Sequence, residues 1–280
     1  VELLRSYCKE SQIFPTLIHF STDEVYGDIN EGSFNEQHLL QPSNPYSATK
    51  AAADMLVIAW ARTYNLPYVI VRPTNNYGIG QYVEKLIPKS IKYLQCNKKI
   101  PLHNNGSPVR GWLHAQDTAR AVIHLIEQNK TNETYNISGN YYDTNLNIVK
   151  KIIECFNGDS DYENYLDLSY SRVGQDVRYS VDDSKLKKTG WEPIINFEKE
   201  LPQIVEYYKN EEIQVFQYDT ASQIIDINFN LEKFNFIKFE NTFFCSEYAE
   251  MSKIRNCDII PESFDTHLHH IGRKMIGNII

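Results

Sequence analysis

The chain has 280 residues, 42% hydrophobic and 23% charged, with a formal net charge of −8, which suits one large globular domain or two small ones. The acidic balance argues against a nucleic-acid or anionic-membrane surface: no basic run exceeds Lys98-Lys99 or Lys187-Lys188, and no apolar run approaches the roughly 20 residues of a membrane span. Five scattered cysteines (Cys8, Cys96, Cys155, Cys245, Cys257), none in a CxxC pair, point away from a disulfide framework or a zinc site and toward a reducing cytoplasm.

From Val1 to about Glu10, Leu3, Leu4 and Tyr7 share a face, predicting the end of an amphipathic helix. Thr16 to Phe20 is short and apolar, a buried strand. Directly after it stands Ser21-Thr22-Asp23-Glu24-Val25-Tyr26-Gly27. Two adjacent carboxyls at the end of an apolar strand repel each other and lose hydration. The placement makes sense if one is neutral and the other charged, an acid beside a base. The alternative is a solvated turn with ordinary surface acids.

Residues 27–45 read as loop, with Gly27, Gly32, Pro42 and Pro45 as punctuation. Tyr46 to Tyr64 is a long helix rich in alanine, stopped by Asn65-Leu66-Pro67. Tyr68 to Val71 is the next strand, closed by Arg72-Pro73. Helix, strand, helix, strand is the rhythm of a parallel, doubly wound sheet. Further helices are predicted over 83–96, 115–128, 146–156, 183–188 and 197–209. Extended pieces are predicted over 100–102, 109–113, 134–137 and 169–181. After residue 210, Ile225, Ile227, Phe229 and Leu231 alternate with polar residues and Phe234, Phe236 and Phe239 follow, suggesting one or two strands. His267, His269 and His270 read as a surface cluster, because a zinc site wants spaced ligands on a scaffold.

Tyr46 and Lys50 are four apart and share one helix face. A lysine one turn from a phenol lowers the phenol's pKa, and the phenolate then takes a proton from a substrate hydroxyl. YxxxK alone arises by chance. Here it follows the acidic heptad and opens a helix after Asn44-Pro45, a much more specific combination.

"STDEVYG", "PSNPYSATKAAAD", "VRPTNNYG", "EKLIP", "IPLHNNGSPVRGWLHAQDTARAV", "TYNISG" and "RVGQDVRYSVDDSKLKKTGW" follow one another in order. Together they resemble the dTDP-glucose 4,6-dehydratases of the extended short-chain dehydrogenase/reductase superfamily, from the start of the chain to about residue 209. The resemblance implies an α/β fold: an NAD(P)-binding, Rossmann-like, doubly wound parallel sheet, truncated at its N-terminus, with a smaller C-terminal α/β substrate-binding region. Residues 1–82 would be the C-terminal part of the NAD-binding domain. Residues 83–209 would be the sugar-nucleotide region interleaved with the last Rossmann elements, and 210–280 an unassigned tail.

The implied activity is an NAD-dependent hydro-lyase that converts dTDP-glucose to dTDP-4-keto-6-deoxyglucose, in a cytoplasmic homodimer. By resemblance Tyr46 is the base on the sugar's 4-hydroxyl and Lys50 tunes it and holds the nicotinamide ribose. Thr22 bonds the C4 oxygen and Tyr46, Glu24 removes the C5 proton, and Asp23 protonates the departing hydroxyl. Ser21 and Asn75 join Tyr46 and Lys50 around the cofactor. Asn76, Lys85, Leu86, Pro101, Arg110, Arg172, Asp176 and Tyr179 fall where the family contacts the nucleoside diphosphate, and Arg and Lys suit its charge. No metal is implied.

The pattern also departs from the family's. No glycine-rich turn of the kind that seats a dinucleotide pyrophosphate occurs in the chain. The family has on the order of 100 residues before the acidic heptad, the first mononucleotide-binding half, whereas here 20 precede it. No secretory leader shows, and the first residue is Val1. The expectation is a chain that starts inside a longer protein and that alone lacks a firm NAD site. Gly111, His114, Gln116, Gln175 and His103 also replace the family's usual residues. Two alternatives stay open: another nucleotide-sugar epimerase, dehydratase or decarboxylase on the same scaffold, or an inactive remnant that binds sugar nucleotide.

Overall fold

Apolar strands and amphipathic helices alternate along the chain, and the strands hydrogen-bond as that order requires. A computed structural model describes residues 1–158, 160–171, 174, 176–210, 236–239 and 242–245. Val1–Glu211 form one unit and Glu212–Ile280 a second.

In the first unit, β1 (Leu17–Phe20), β2 (Tyr68–Pro73) and β6 (Glu133–Ile137) make a parallel sheet in the order β1-β2-β6. Helix α2 (Pro45–Tyr64) is the crossover from β1 to β2, as a parallel pair requires. Val69, Ile70 and Val71 of the middle strand are all buried, the mark of a strand covered on both faces. Val69 and Val71 pack with Leu113, Tyr135 and Ile137, with Ala121 and Leu125 of α4 (Ala115–Glu127), and with Leu186 and Trp191. Burying each such aliphatic side chain contributes roughly 1.5–3 kcal/mol.

The chain leaves this sheet at Thr74, whose N–H still donates to Ile137 O at 3.0 Å. It enters a second sheet in which β3 (Asn75–Tyr77) runs parallel to β5 (Val109–His114), and β5 antiparallel to β7 (Tyr141–Thr144). A small parallel pair joins β4 (Ile100–Pro101) to β8 (Leu166–Asp167). Helices α3 (Leu86–Gln95), α5 (Asn145–Asn157) and α7 (Phe197–Asn210) pack on one another through buried Ile91, Ile152 and Ile204 among others. The short α6 (Ser184–Lys187) lies against β6.

Most elements lie within a few residues of their sequence positions. The helix expected from residue 83 begins at Leu86, with Pro88 in its first turn, where a missing N–H does no harm. Helix α1 (Glu2–Ser11) forms, but its buried residue is Cys8, while Leu3 is 87% exposed and Tyr7 lies at the surface. Of the face that made it look amphipathic, Leu4 alone is partly covered. Strands β3, β7 and β8 were not anticipated. Among the described residues between 169 and 181 only isolated bridges form, Val109 with Arg178 and Phe34 with Val181. Arg172 and Gln175 lie outside the described residues.

In the second unit, β9 (Phe236–Phe239) and β10 (Thr242–Cys245) form an antiparallel pair. The alternating run from Ile225 to Leu231 and the three tail histidines lie outside the described residues. Among the described residues no helix is long and apolar enough to cross a membrane.

Candidate active site

The sheet ends, and the chain turns tightly, at Ser21. Its N–H donates to Val71 O at 2.8 Å, extending the β1–β2 pairing by one bond. Thr22 then caps a 3-10 turn, Asp23–Tyr26, accepting the Glu24 N–H on its hydroxyl at 3.3 Å. Gly27 closes the turn with φ +83°, and a Cβ there would stand 2.4 Å from Gln41 O, so only glycine fits.

Opposite, Asn44 caps α2. Its side chain accepts the Ser47 N–H at 2.9 Å and Ser47 Oγ accepts the Asn44 N–H at 3.2 Å, a capping box with Pro45 at the first helical position. The cap places Tyr46 in the first turn, 56% exposed. Lys50 follows one turn later, and its Nζ donates to Phe20 O at 2.6 Å.

Asp23 is 2% exposed. Burial, and then the charge of Glu24, push its carboxyl up to about 7, against a hydrogen bond from Thr22. Its Oδ2 has no hydrogen-bond partner. Burial also raises Glu24, opposed by Asn44 and by the charge of Arg110. Asp23 is thus fully buried and Glu24 partly so, at the end of an apolar strand.

Tyr46 differs from expectation. Its phenol is raised, not lowered, first by burial and then by the carboxylates of Glu24 and Asp23. The physical reason is first the burial of the phenol's hydroxyl end and second the charge of the two neighbouring acids. Nor does Thr22 bond Tyr46: its hydroxyl donates to Asp23 Oδ1 at 3.2 Å.

Three residues assigned to the nucleotide gather beside Glu24. The Tyr179 hydroxyl donates to the Asp176 carboxylate and lies 3.4 Å from Glu24 Oε2. The Arg110 guanidinium sits 4.4 Å from the centre of the Tyr179 ring and donates to Asp176 O at 3.1 Å. Asn44 Nδ2 donates to Asp176 Oδ2 at 3.1 Å. Burial would raise Asp176, but hydrogen bonds from Ser43, Tyr179 and Asn44 hold it below the usual carboxylate range. Tyr179 is raised by burial and by Asp176.

The remaining candidates have neighbours of their own. Asn75 opens β3 in register with Trp112. Asn76 donates to Thr74 O and accepts from the Thr118 hydroxyl at 2.7 Å. Lys85 precedes α3 and pairs with Glu84 at 2.9 Å, Leu86 opens that helix, and Pro101 pairs with Asp167 across β4 and β8. Ser21 is buried, and its hydroxyl helps to lower the Asp54 carboxyl. Sequence reasoning missed Asn44, whose signal was the Asn-Pro before the tyrosine. It also missed His19, Tyr26, Asp54 and Arg72, described below. Among the described residues no His, Cys, Asp and Glu side chains gather as a metal site.

The family model described as GDP-mannose 4,6 dehydratase matches residues 1–204. The chain belongs to this dehydratase family. It is 43% identical over 201 residues to dTDP-glucose 4,6-dehydratase of Haemophilus influenzae, covering 68% of this chain and 60% of that protein. It is 39% identical over 209 residues to a trifunctional UDP-glucose 4,6-dehydratase/UDP-4-keto-6-deoxy-D-glucose 3,5-epimerase/UDP-4-keto-L-rhamnose-reductase of Arabidopsis thaliana, covering 74% of this chain and 31% of that protein. A crystal structure of dTDP-glucose 4,6-dehydratase from Bacillus anthracis in complex with NAD matches with a TM-score of 0.68 at 39% identity, covering 75% of this chain and 67% of that one. The likeness to 4,6-dehydratases drawn from the motifs is therefore borne out, as is the Rossmann-like α/β class. The chain spans 60% of the Haemophilus relative's length.

Proposed function

We propose that the chain carries the proton-transfer and nucleotide-binding groups of an NAD-dependent nucleotide-sugar 4,6-dehydratase, with dTDP-glucose as substrate and dTDP-4-keto-6-deoxyglucose and water as products. The observation that carries this reading is Asp23: a buried carboxyl raised to about 7, with one oxygen lacking a partner, beside Glu24. An elimination needs an acid for the leaving hydroxyl and a base for the carbon-bound proton in one step, roles that two carboxyls in different surroundings divide between them.

In this reading Tyr46 accepts the proton of the sugar's 4-hydroxyl, and Lys50 lowers the phenol's pKa once its ammonium leaves Phe20 O. Glu24 takes the proton next to the resulting ketone, Asp23 protonates the departing 6-hydroxyl, and Thr22 bonds the C4 oxygen. Arg110, Asp176, Tyr179, Asn76, Lys85, Leu86, Pro101 and Arg172 bind the nucleoside diphosphate. Residues 1–82 serve the cofactor and 83–209 the sugar nucleotide.

Lys50, Tyr46, Ser21 and Asn75 would hold the nicotinamide end of NAD, the exposed Tyr46 phenol and the Lys50 ammonium one helical turn beyond it offering the polar groups. A bound NAD supplies hydride acceptance and return. The pyrophosphate end has no glycine-rich turn in this sequence to hold it.

A cytoplasmic homodimer goes with the reading. Ala48, Ala52, Met55, Leu56 and Ala59 form an exposed stripe along α2, whose small side chains suit close helix packing. A UDP-sugar is the second substrate reading, favoured by the UDP-glucose activity in the Arabidopsis relative's name. Incubation with NAD and either dTDP-glucose or UDP-glucose, followed by product analysis, tests both. The 4-keto-6-deoxy product from the dTDP-sugar supports the first reading, and a sugar converted without loss of water overturns the dehydratase assignment.

A further inference from the structure

Beneath the site lies a buried ionic network that the reaction does not use directly. Asp54 is fully buried on α2, one turn beyond Lys50 and two beyond Tyr46. Its Oδ2 accepts from Arg72 Nε, and the Arg72 Nη2 also lies within 2.9 Å. Its Oδ1 lies 3.1 Å from His19 Nε2 on β1. Burial would raise Asp54, but His19 and Arg72 outweigh it and keep the carboxyl below its usual range, so the pair is ionic.

Arg72, 3% exposed at the end of β2, reaches the other way with Nη1. That nitrogen donates to the Tyr26 hydroxyl at 2.6 Å, and the guanidinium lies 4.8 Å from the Tyr26 ring centre. The Tyr26 hydroxyl in turn donates a hydrogen bond to Asn136 Oδ1 at 2.9 Å. Tyr26 is the last residue of the 3-10 turn that bears Asp23 and Glu24. One planar guanidinium therefore touches the helix carrying Tyr46 and Lys50 on one side and the turn carrying the two acids on the other.

A buried ion pair adds little net stability compared with apolar side chains of the same volume, so stability alone is a weak reason for this one. A rigid five-donor fork that fixes two partners at a set angle is something lysine cannot reproduce. We propose that Arg72 is a positioning residue: through Asp54 and Tyr26 it sets the spacing between the Tyr46–Lys50 helix and the Asp23–Glu24 turn. Its effect on turnover rests on the dehydratase reading, whereas its effect on the spacing does not. Reaction geometry is sensitive to shifts of about 1 Å.

The test compares Tyr26→Phe, which keeps the ring and removes only the hydroxyl link, and Arg72→Lys with Val69→Ala, a core truncation that touches neither half of the site. Three quantities are read: kcat and KM for dTDP-glucose with NAD supplied, thermal stability, and amide hydrogen exchange over 22–27 and 45–51. The proposal expects Tyr26→Phe and Arg72→Lys to lower kcat about tenfold or more with KM within about twofold, and exchange to rise in both segments together. Val69→Ala should leave kcat per folded molecule unchanged. Equal kcat losses in all three, or none in Tyr26→Phe and Arg72→Lys, overturn the proposal. If the unsubstituted protein turns nothing over, the dehydratase reading fails separately and exchange decides. A rise confined to one segment then overturns the link, and a joint rise supports it.

Discussion

At the scale of single residues, Asp23 has the most direct consequence. Its folded pKa, about 7, lies above that of the unfolded chain. Between pH ~4 and ~7 the folded state therefore keeps a proton that the unfolded state loses, and stability falls by about 1.4 kcal/mol per pH unit as pH rises. Above pH ~7 the loss is complete and level. Asp23→Asn removes the burden: in denaturant titrations it should match the parent near pH 4 and be more stable at pH 7, while losing turnover. Gly111 offers a second check. A Cβ there would lie 2.8 Å from Tyr142 Cε1 and 3.0 Å from Thr74 Cγ2. Gly111→Ala should destabilise by about 1–3 kcal/mol in thermal unfolding, less so when Tyr142 is shortened to Leu.

Thr22, Asp23, Glu24, Tyr46 and Lys50 were legible because each sits in a short local pattern. What they face was not. The pairing of Arg72 with Asp54 and Tyr26 spans 18 and 46 residues, and no local spacing announces it. The direction of the Tyr46 shift depends first on how far the phenol is buried and then on which charges face it, and both are set by the fold, not by the i,i+4 step to Lys50.

At the scale of elements, α2 was read nearly to the residue because Asn44-Pro45 starts it and Asn65, in the left-handed region, ends it. Asn44 also donates to Asp176, so the cap and the nucleotide-side cluster share one side chain. Asn44→Ala should cost about 1 kcal/mol of stability and in addition weaken TDP binding measured by calorimetry. Asn44→Ser should restore the stability but not the binding. Strands β7 and β8 escaped notice for a different reason. Tyr141-Tyr142-Asp143-Thr144 is half-buried and polar, and Leu166-Asp167 is two residues long, so both owe their form to β5 and β4. The exposed α2 stripe predicts that Leu56→Lys converts a dimer to a monomer in sedimentation, with the folded state otherwise intact.

At the scale of the whole molecule, the three-stranded sheet places the acidic turn and the capped helix α2 at the C-terminal ends of parallel strands, where open α/β sheets bind ligands. That much followed from the alternation of strand and helix. The switch at Thr74 from the first sheet to the second did not, because Arg72-Pro73 reads as the close of the strand and the three-residue β3 takes its form from β5. The central claim is that Asp23 and Glu24 work as an acid–base pair on a nucleotide sugar. The measurement that reaches it most directly is product analysis with dTDP-glucose and NAD for the parent, Asp23→Asn and Glu24→Gln, with TDP affinity measured alongside. The predicted result is a 4-keto-6-deoxy product from the parent and none from either variant, with TDP affinity unchanged. Elimination that survives both substitutions, or a parent that binds no TDP and releases no dehydrated sugar, would contradict it.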